Sequence, residues 1–401
     1  MKVGIISFYL MESTIPLAKY ISLEGIKIDL YSLLPHDGQN TFVFDFIGNE
    51  QPNGFVNSKI RRTAFGEKLN NYLGTLQDIQ VFIFPSRRIE IFFLKDLYYA
   101  YLFATYIKKK KYDLIHIIHS DAKFWFLLNF FLKGEKIIQT LHEVTSHNGS
   151  NSPIQIKTLN WLIENSTPII FHSNTSMNRF LEYSHSDIPK KLSKNDITMI
   201  RFGLFETYHC FSDQPGFSNR KEEIKILYFG RIVPYKGIDI LIDAVKILQN
   251  KYPIHLIIAG DGTPYFSFKN IKSYDFINKH ITNKEIANLI ESSDIVVLPY
   301  TSASQSGVPM TVYLFNKPII ASNIGGLKEV IEHLKTGLLV DTIDAPSLSA
   351  SIDMLVSNTN LREEMIENIK RKYNEGEFSW PNIAKQTLSF YRNQLEKNKI
   401  G

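Results

Sequence analysis

The sequence predicts an α/β protein built from two doubly wound domains. Short apolar runs rich in β-branched residues alternate with helical patterns in both halves of the chain, which is typical of parallel sheets covered by helices. A turn-rich stretch at 211–220 separates the two halves. The length of 401 residues also suits two domains of ordinary size. We therefore expect residues 1–208 to form the first domain, 209–222 a linker and 223–378 the second domain.

Each half contains six clear strand patterns. In the first half they lie at 3–8, 27–32, 80–84, 114–119, 136–140 and 168–172. In the second half they lie at 225–230, 255–260, 271–276, 294–299, 318–322 and 337–340. Ligands of open α/β sheets bind beyond the carboxyl ends of the strands, so binding residues are expected in the loops that follow these strands.

The composition excludes several classes of protein. With 44% hydrophobic and 13% aromatic residues, the chain can form large cores, which excludes a disordered or fibrous protein. Cys210 is the single cysteine, which excludes a disulfide framework and a cysteine-based zinc site and fits a reducing compartment. A net charge of +5 does not by itself indicate a nucleic-acid binder, but it suits anionic phosphates or an anionic membrane surface.

The sequence also predicts a cytoplasmic protein. No segment has the roughly 18 consecutive apolar residues that a transmembrane helix needs. The first ten residues lack the strongly charged start and the small-residue cleavage site of a signal peptide, and Glu12 interrupts the apolar run. They are interpreted as a buried first strand.

The strand at 225–230 ends in a loop that carries two cations. Gly230 permits a sharp exit from the strand, and Arg231 and Lys236 follow before the amphipathic helix that starts at Ile238. Two cations near the positive end of a helix dipole suit a phosphate, which Arg contacts as a fork and Lys as a point charge. The alternative is a solvated pair of surface cations.

Other strands of the second half also end in turns of small residues. These turns lie at 259–262, 298–311 and 322–326. The second contains Ser306 and Gly307 and enters a helix near Met310, so it offers free backbone N–H groups to an anion. One such turn is weak evidence, but their occurrence at consecutive strand ends indicates a ligand-binding edge.

The ordered series of these motifs resembles the retaining GT-B glycosyltransferases of family 4. The resemblance is carried by Phe-Gly-Arg and Tyr-Lys-Gly within 229–237, Gly-Asp-Gly at 260–262, Leu-Pro-Tyr at 298–300 and Gly-Gly at 325–326. It covers about residues 223–345, and it extends loosely over the first half and over Phe-Ser-Trp at 378–380. It implies the GT-B fold, in which two Rossmann-like domains face each other across a cleft. It also implies that a C-terminal helix, 379–401, crosses back to the first domain.

The resemblance implies roles for residues of the second domain. Arg231 and Lys236 would bind the diphosphate of the donor, supported by the backbone amides of 306–308. The donor-binding residues that it implies are Gly230, Gln305, Ser306, Gly307, Val308 and Thr311, and the nucleotide base would meet the backbone between Phe276 and Ile281.

The loop at 303–311 departs from the family pattern. The family carries Glu-x7-Glu here, in which the first Glu contacts the donor sugar and the second contacts the ribose hydroxyls. This chain has Thr311 at the second position and Gln-Ser-Gly at 305–307 near the first, a version that resembles a sub-branch of the same family. Thr311 offers one hydroxyl where a carboxylate would accept two hydrogen bonds, so a neighbour such as Gln305 is expected to contact the ribose.

A histidine follows the strand at 136–140 in the first half. The resemblance implies that His142 lies against the donor sugar, while Glu143 and His147 are candidate contacts of the acceptor. The alternative for both histidines is a structural role in capping a turn.

No metal cofactor is expected. His116 and His119 belong to the strand at 114–119, but strand alternation places them on opposite faces, where they are poorly arranged to share a metal. The chain also lacks the Asp-x-Asp motif of metal-dependent glycosyltransferases of the other main fold. Arg231, Lys236 and helix N-termini can stabilise the charge of a leaving diphosphate instead.

The segment 91–111 has two interpretations. It is a strongly apolar helical pattern that ends in four lysines at 108–111. It is either an amphipathic helix for an anionic membrane surface or the covering helix of the domain, with lysines where the helix dipole favours them. The strand that follows directly favours the covering helix. A second apolar stretch at 125–132 keeps peripheral membrane association open.

The residues and the resemblance together predict a glycosyltransferase that moves a sugar from a nucleoside-diphosphate sugar to a hydroxyl group. That the transfer retains the anomeric configuration is what the resemblance implies. The expected use is bacterial surface-polysaccharide assembly, with a lipid-linked glycan or another saccharide as acceptor and no nucleic acid as partner. A sugar-nucleotide epimerase on the same fold and a catalytically degenerate partner subunit are the alternatives. A nicotinamide dehydrogenase fits poorly, because Gly-x-Gly-x-x-Gly follows the first strand of neither domain.

Overall fold

The computed structural model divides the chain into two compact units. The first comprises Met1–Gly203 together with Trp380–Gly401, and the second comprises Leu204–Ser379. The structure describes residues 1–8, 11–36, 51–76, 79–85, 93–118, 122–142, 144, 153–185, 194–212, 223–302 and 306–400. None of the helices in these ranges is both long enough and apolar enough to cross a bilayer.

The first unit is built on an eight-stranded sheet. Its strands are β1 (Lys2–Phe8), β2 (Lys27–Pro35), β3 (Gly54–Phe55), β4 (Ile79–Phe84), β5 (Leu114–Ile118), β6 (Ile137–Leu141), β7 (Ile169–Phe171) and β8 (Ile197–Met199). The order across the sheet is β3-β4-β2-β1-β5-β6-β7-β8, and all neighbours are parallel except β3 and β4. The central strands β1 and β5 are almost fully buried, which explains why their sequences are apolar on both faces.

Helices follow most strands of the first unit. They are α1 (Met11–Leu23), α2 (Ser58–Leu73), α3 (Phe93–Lys109), α4 (Ala122–Phe131), α5 (Pro153–Glu164) and α6 (Asn174–His185). Aromatic side chains from β2, β4, α3 and α4 fill the core that the sheet and these helices share.

The second unit is built on a six-stranded parallel sheet. Its strands are β9 (Ile224–Phe229), β10 (Ile254–Gly260), β11 (Tyr274–Asn278), β12 (Ile295–Leu298), β13 (Ile319–Ser322) and β14 (Gly337–Val340). Its helices are α7 (Ile238–Leu248), α8 (Asn283–Ser292), α9 (Val308–Leu314), α10 (Leu327–Val330), α11 (Ala345–Ser357) and α12 (Thr359–Lys370). The last helix of the chain, α13 (Trp380–Ile400), belongs to the first unit.

Strand order places a topological switch point at the centre of the second sheet. The order is β11-β10-β9-β12-β13-β14, so the chain moves outward in one direction from β9 and in the other direction from β12. Crevices at the carboxyl ends of such strands are the usual ligand sites of open α/β sheets. Helix α7 packs next to this point because Ile238, Leu241, Ile242 and Val245 form one buried stripe at helical spacing.

Several strand boundaries differ from the predicted ones. Strand β11 begins at Tyr274, not at 271, because Asn270 adopts a left-handed φ of 69° in a turn that delays pairing with β10. Strand β2 continues to Pro35 because it pairs with β4 along its whole carboxyl half. Strands β3 and β8 were not predicted, since two or three residues are too short to display a period.

The division between the units falls after Gly203, five residues before the predicted end of the first domain at 208. Residues 204–212 pack on the second unit, where Phe205 lies against Gly307 and the Ser212 hydroxyl donates to Glu291 at 2.9 Å. Most of the predicted linker, 209–222, lies outside the described residues.

Candidate active site

Two loops meet at the carboxyl ends of β9 and β10. Gly230 leaves β9 with a φ of 134°, a conformation that residues with a side chain rarely adopt. Gly260 ends β10 so close to Gly230 that a Cβ there would collide with the Gly230 carbonyl oxygen. A bridge between Ile232 and Gly262 holds the two loops together beyond the strands. The glycines therefore bring backbone to the switch point without side-chain bulk.

The loop after β9 is also joined to the loop after β12. The backbone N–H of Thr301 donates to the carbonyl of Tyr235 at 2.9 Å. Gly237, which has a φ of 64°, lies directly against the Pro299 carbonyl, where a Cβ would not fit. The sharp turn at Gly237 then starts α7.

Lys236 lies over an aromatic ring where the loops after β9 and β12 meet. Its Nζ is 3.5 Å from the ring centroid of Tyr300 and 5.2 Å from that of Tyr235. The Tyr300 ring is almost fully buried. A ring that is shielded from water attracts a cation more strongly than an exposed ring does. Burial and, to a smaller extent, the neighbouring Arg231 lower the pKa of Lys236 to about 8.

Arg231 stands beside this lysine but is exposed. Its Nη2 donates to the Tyr235 hydroxyl at 3.2 Å, and its backbone carbonyl accepts from the Tyr228 hydroxyl at 2.8 Å. Within the described residues, no carboxylate forms an ion pair with Arg231 or Lys236. Two like charges thus lie at one strand end, and no carboxylate of the described residues pairs with either of them, which is the arrangement expected of a site for an anionic group.

The loop before α9 lies near the same edge of the sheet. Gly307 is packed against Phe205, and the Val308 amide is 3.4 Å from the Ser306 hydroxyl. Gln305 lies outside the described residues. Thr311, in the second turn of α9, is only 3% exposed, so little of it is open to a ligand. The ribose contacts of Thr311 and Gln305 remain predictions.

The candidate base-binding residues lie at the far edge of the sheet. Phe276, on β11, is half-buried and packs against Phe266 and Phe268 with ring centroids 5.7 and 5.2 Å away. Ile281 is buried just before α8, whose N-terminus is closed by reciprocal hydrogen bonds between Thr282 and Glu285. The structure provides an apolar surface here, and the contact with a base remains a prediction.

His142 lies in the first unit, directly after β6. Its ring is 8% exposed and stacks on Phe202 with an interplanar angle of 15° and a centroid distance of 5.3 Å. The ring of His172 is 5.0 Å away, and the Ser176 hydroxyl donates to the His142 carbonyl at 3.1 Å. The ring is therefore buried in an aromatic stack with Phe202 and His172. Glu143 and His147 lie outside the described residues.

His116 is structural. Its Nδ1 is 2.6 Å from the Tyr391 hydroxyl and its Nε2 is 2.7 Å from the Thr140 hydroxyl, so both nitrogens have protein partners. Burial and the nearby His172 lower its pKa to about 3, so the ring is neutral. His119 lies outside the described part of the chain, in which no group of three or more His, Cys, Asp or Glu side chains could hold a metal.

Sequence reasoning identified the cations but missed the aromatic residues that hold them. Tyr235 and Tyr300 were noted within motifs, yet the contact of Tyr300 with Lys236 joins two loops that lie 64 residues apart. Tyr265 was also missed, and its hydroxyl accepts from the backbone N–H of Ile238, the first residue of α7, at 3.0 Å. A tyrosine in a short loop carries no sequence signal for such a contact.

The second unit matches a known family. Residues 212–372 match the family model described as glycosyl transferases group 1. A protein of Methanocaldococcus jannaschii described as an uncharacterized glycosyltransferase is 29% identical over 182 residues, which is 44% of this chain and 46% of that protein. The D-inositol 3-phosphate glycosyltransferase of Paenarthrobacter aurescens is 28% identical over 184 residues, 43% of this chain and 45% of that enzyme. The match thus spans less than half the length of these relatives.

Solved structures resemble the whole chain. Sucrose-phosphate synthase of Thermosynechococcus elongatus has a TM-score of 0.68 at 15% identity and covers 99% of this chain and 100% of its own. The HepE protein of Anabaena, solved with UDP and glucose, has a TM-score of 0.66 at 16% identity, with coverage of 98% and 100%. At this identity the likeness shows the fold alone, and it confirms the predicted fold class. Residues 212–372 thus match the family model of glycosyl transferases group 1, in a chain whose two-domain α/β fold matches that of GT-B glycosyltransferase structures.

Proposed function

We propose that this protein is a retaining glycosyltransferase that moves a sugar from a nucleoside-diphosphate sugar to a hydroxyl group. The observation that carries the proposal is the pair of cations at the switch point of the second sheet. Lys236 is largely desolvated over Tyr300, and Arg231 stands next to it without a carboxylate partner in the described residues. A half-buried cation with a lowered pKa gains most from a ligand that brings negative charge.

The chemistry of sugar transfer explains why such a site suits a diphosphate. When the bond between the sugar and the diphosphate breaks, negative charge builds up on the leaving oxygen. Lys236 and Arg231 stabilise that charge more in the transition state than in the bound donor, which is what accelerates the reaction. The amides of 306–308 and the open backbone at Gly230 support the same phosphates. This arrangement uses no metal ion and no other cofactor.

The remaining contacts of the donor and acceptor in this proposal are those that the resemblance to family 4 implies. The base lies against the backbone around 276–281, and the ribose contacts Gln305, because Thr311 is almost fully buried. His142 positions the sugar, and Glu143 and His147 contact the acceptor. The solved HepE structures with UDP, with UDP-glucose and with UDP and glucose support a uridine nucleotide sugar as the first donor to test.

We propose bacterial surface-polysaccharide assembly as the biological use, with a lipid-linked glycan or another saccharide as the acceptor. An acceptor panel that contains soluble saccharides and lipid-linked glycans tests this part. Transfer to soluble saccharides alone would count against a lipid-linked acceptor.

A donor panel tests the reaction itself. UDP-, GDP- and TDP-sugars are each added to the full chain with and without chelator, and thermal unfolding and product formation are followed. A donor at 100 times its Kd should stabilise the protein by about 2.7 kcal/mol. Transfer or slow hydrolysis of the sugar with retained anomeric configuration supports the proposal. Interconversion of the intact donor would identify an epimerase, and binding without turnover would identify a degenerate subunit.

Arg231→Ala is the matched variant for this panel. Its exposed side chain makes one hydrogen bond to Tyr235, so the fold should be unaffected. Loss of a charge-assisted contact with phosphate should weaken donor affinity or turnover by roughly 1.5–3 kcal/mol. Lys385→Gln, which removes an exposed cation of α13, is the control and should change neither. Undiminished turnover in Arg231→Ala would contradict the assignment of this site.

A further inference from the structure

Helix α3 is apolar on two sides. Its inner face, which includes Ala100, Phe103, Ala104 and Ile107, is buried in the core of the first unit. Its outer face carries Leu94, Tyr98, Tyr101 and Leu102, which are 77%, 58%, 55% and 38% exposed. A helix that only covers a sheet needs one apolar face, so its fold does not require the second.

The neighbouring helix α4 extends this outer surface. Phe130 is 62% exposed, and its ring lies 5.4 Å from that of Phe131. Phe131 in turn contacts Tyr101 of α3, with ring centroids 5.6 Å apart. We call the five exposed residues Leu94, Tyr98, Tyr101, Leu102 and Phe130 the apolar patch. Contiguous exposed apolar surface of this kind usually marks a binding surface.

Lysines border the patch at one end. Lys108 and Lys109 occupy the last turn of α3, and Lys111 and Lys133 are exposed beside them. The Lys108 ammonium donates to the Lys133 carbonyl at 3.3 Å, which places the ends of α3 and α4 side by side. We call these four residues the lysine rim. On α3 the apolar residues and the rim share one face, since positions 94, 98, 101, 105 and 108 follow the helical spacing.

We propose that the apolar patch and the lysine rim form a docking surface for an anionic lipid bilayer. This inference goes beyond the proposed sugar transfer and does not depend on it. Leucine and phenylalanine insert at the boundary between the lipid headgroups and the acyl chains. Tyrosine is enriched at the membrane–water interface, and lysine attracts anionic headgroups. A second copy of the chain fits less well, because its own lysine rim would repel this one. The lysines complement the dipole of α3, but that role does not explain the exposed patch.

Vesicle binding tests the surface directly. The full chain is sedimented with phosphatidylcholine vesicles, and with vesicles that contain equal parts of phosphatidylcholine and phosphatidylglycerol, without donor or acceptor. We expect binding to the anionic vesicles, weak binding to the neutral ones and loss of binding in 1 M salt, where charges are screened within about 3 Å.

Two double variants separate the two parts of the surface. Lys108→Gln with Lys109→Gln should lower the partition coefficient about 30-fold, since each lysine near an anionic surface contributes about 1 kcal/mol. Leu94→Ser with Phe130→Ser should lower it about tenfold or more by removing apolar burial. The controls are Ile247→Ser, which changes a 53% exposed residue of α7, and Lys59→Gln with Lys385→Gln, which removes two exposed cations elsewhere. Both controls should bind like the unmodified chain, and all variants should keep its melting temperature.

Three results would overturn the inference. The first is binding of the two surface variants at the level of the controls, and the second is no binding of the unmodified chain to anionic vesicles. The third is a concentration-dependent dimer that Leu94→Ser with Phe130→Ser dissociates, without vesicle binding, which would make this surface an interface between copies.

Discussion

Lys236 is the residue whose surroundings most directly determine how the site should respond to pH. Burial over the Tyr300 ring and, to a smaller extent, the neighbouring Arg231 lower the pKa of Lys236 from its ordinary value of 10.5 to about 8. An unfolded chain binds the lysine proton up to the higher pH, so Lys236 makes the free energy of unfolding rise as pH increases from about 8 to about 10.5. The same lysine binds a diphosphate only while it is charged.

The affinity for a nucleoside diphosphate should therefore depend on pH through Lys236. Between about pH 7 and 8 the Kd of UDP should be nearly constant, and above about 8 it should rise by up to about tenfold per pH unit, because the free protein has lost the proton that the complex needs. Lys236→Met should bind weakly at every pH, with a flat profile between 7.5 and 9.5. Isothermal titration measures both, with Lys385→Met as the control. A profile of Lys236→Met that still bends near pH 8 would assign the titration to another group.

His142 belongs to an aromatic stack of the first unit, and by our proposal it also contacts the donor sugar. His142→Ala should lower kcat more than it weakens UDP binding, since a contact with the sugar matters most in the transition state. Phe202→Leu disturbs the same stack from the side of Phe202 and serves as the control. Steady-state kinetics and UDP titration are compared for both variants. Equal losses of kcat and melting temperature in the two would assign His142 a structural role only.

At the scale of single elements, the turn between β9 and α7 determines the positions of Arg231 and Lys236 in the candidate site. Gly237 combines a φ of 64° with close contact to the Pro299 carbonyl, and it follows Lys236 directly. Gly25, between α1 and β2, has a similar φ of 77° but open space around its Cβ position. Substitutions at these two glycines can therefore distinguish the cost of backbone strain from the cost of a steric collision.

Alanine at these two glycines should have different effects. Gly25→Ala should reduce the free energy of unfolding by about 1–2 kcal/mol from left-handed strain alone. Gly237→Ala should cost more and should also weaken UDP binding, because relief of the collision moves Lys236 away from Tyr300. Chemical unfolding and UDP titration measure the two effects. If Gly237→Ala binds UDP normally, the position of this turn is not what holds Lys236 in the site.

At the scale of the whole molecule, the chain closes the first unit with its last helix. The first unit ends at Gly203 and resumes at Trp380, which lies against Gly203 and stacks near Tyr20. Helix α13 also buries Tyr391, whose hydroxyl meets His116 on β5. Two distant stretches of sequence thus share one core.

Removal of α13 should therefore destabilise the first unit and spare the second. A chain that ends at Ser379 loses the buried side chains of Trp380, Ile383, Leu388 and Tyr391. Hydrogen exchange should show lost protection in β1 and β5 but retained protection in β9 and β12. A chain that ends at Lys397 keeps these residues and is the control. Unchanged protection of β1 and β5 after the longer deletion would show that the first unit folds without α13.

The sequence by itself determined most of the strands and the two cations of the candidate site. Period and composition are local properties, so an apolar run such as 3–8 or 255–260 identifies a buried strand without its neighbours. The strand at 225–230 ends at Gly230 and is followed within a few residues by Arg231 and Lys236. Their position at the carboxyl edge of the sheet can therefore be predicted from the sequence. Strands β3 and β8 were missed because they are too short to carry a period.

Only the tertiary structure decided which distant residues meet. The ring under Lys236 comes from Tyr300, and the partner of His116 comes from Tyr391, 275 residues away. The structure also showed that α3 keeps an exposed apolar face in addition to a buried one, whereas its sequence was compatible with either a covering or a docking helix. Burial and ion pairing depend on the packing of segments that are far apart in the chain, and a local pattern carries no information about which of its faces another segment will cover.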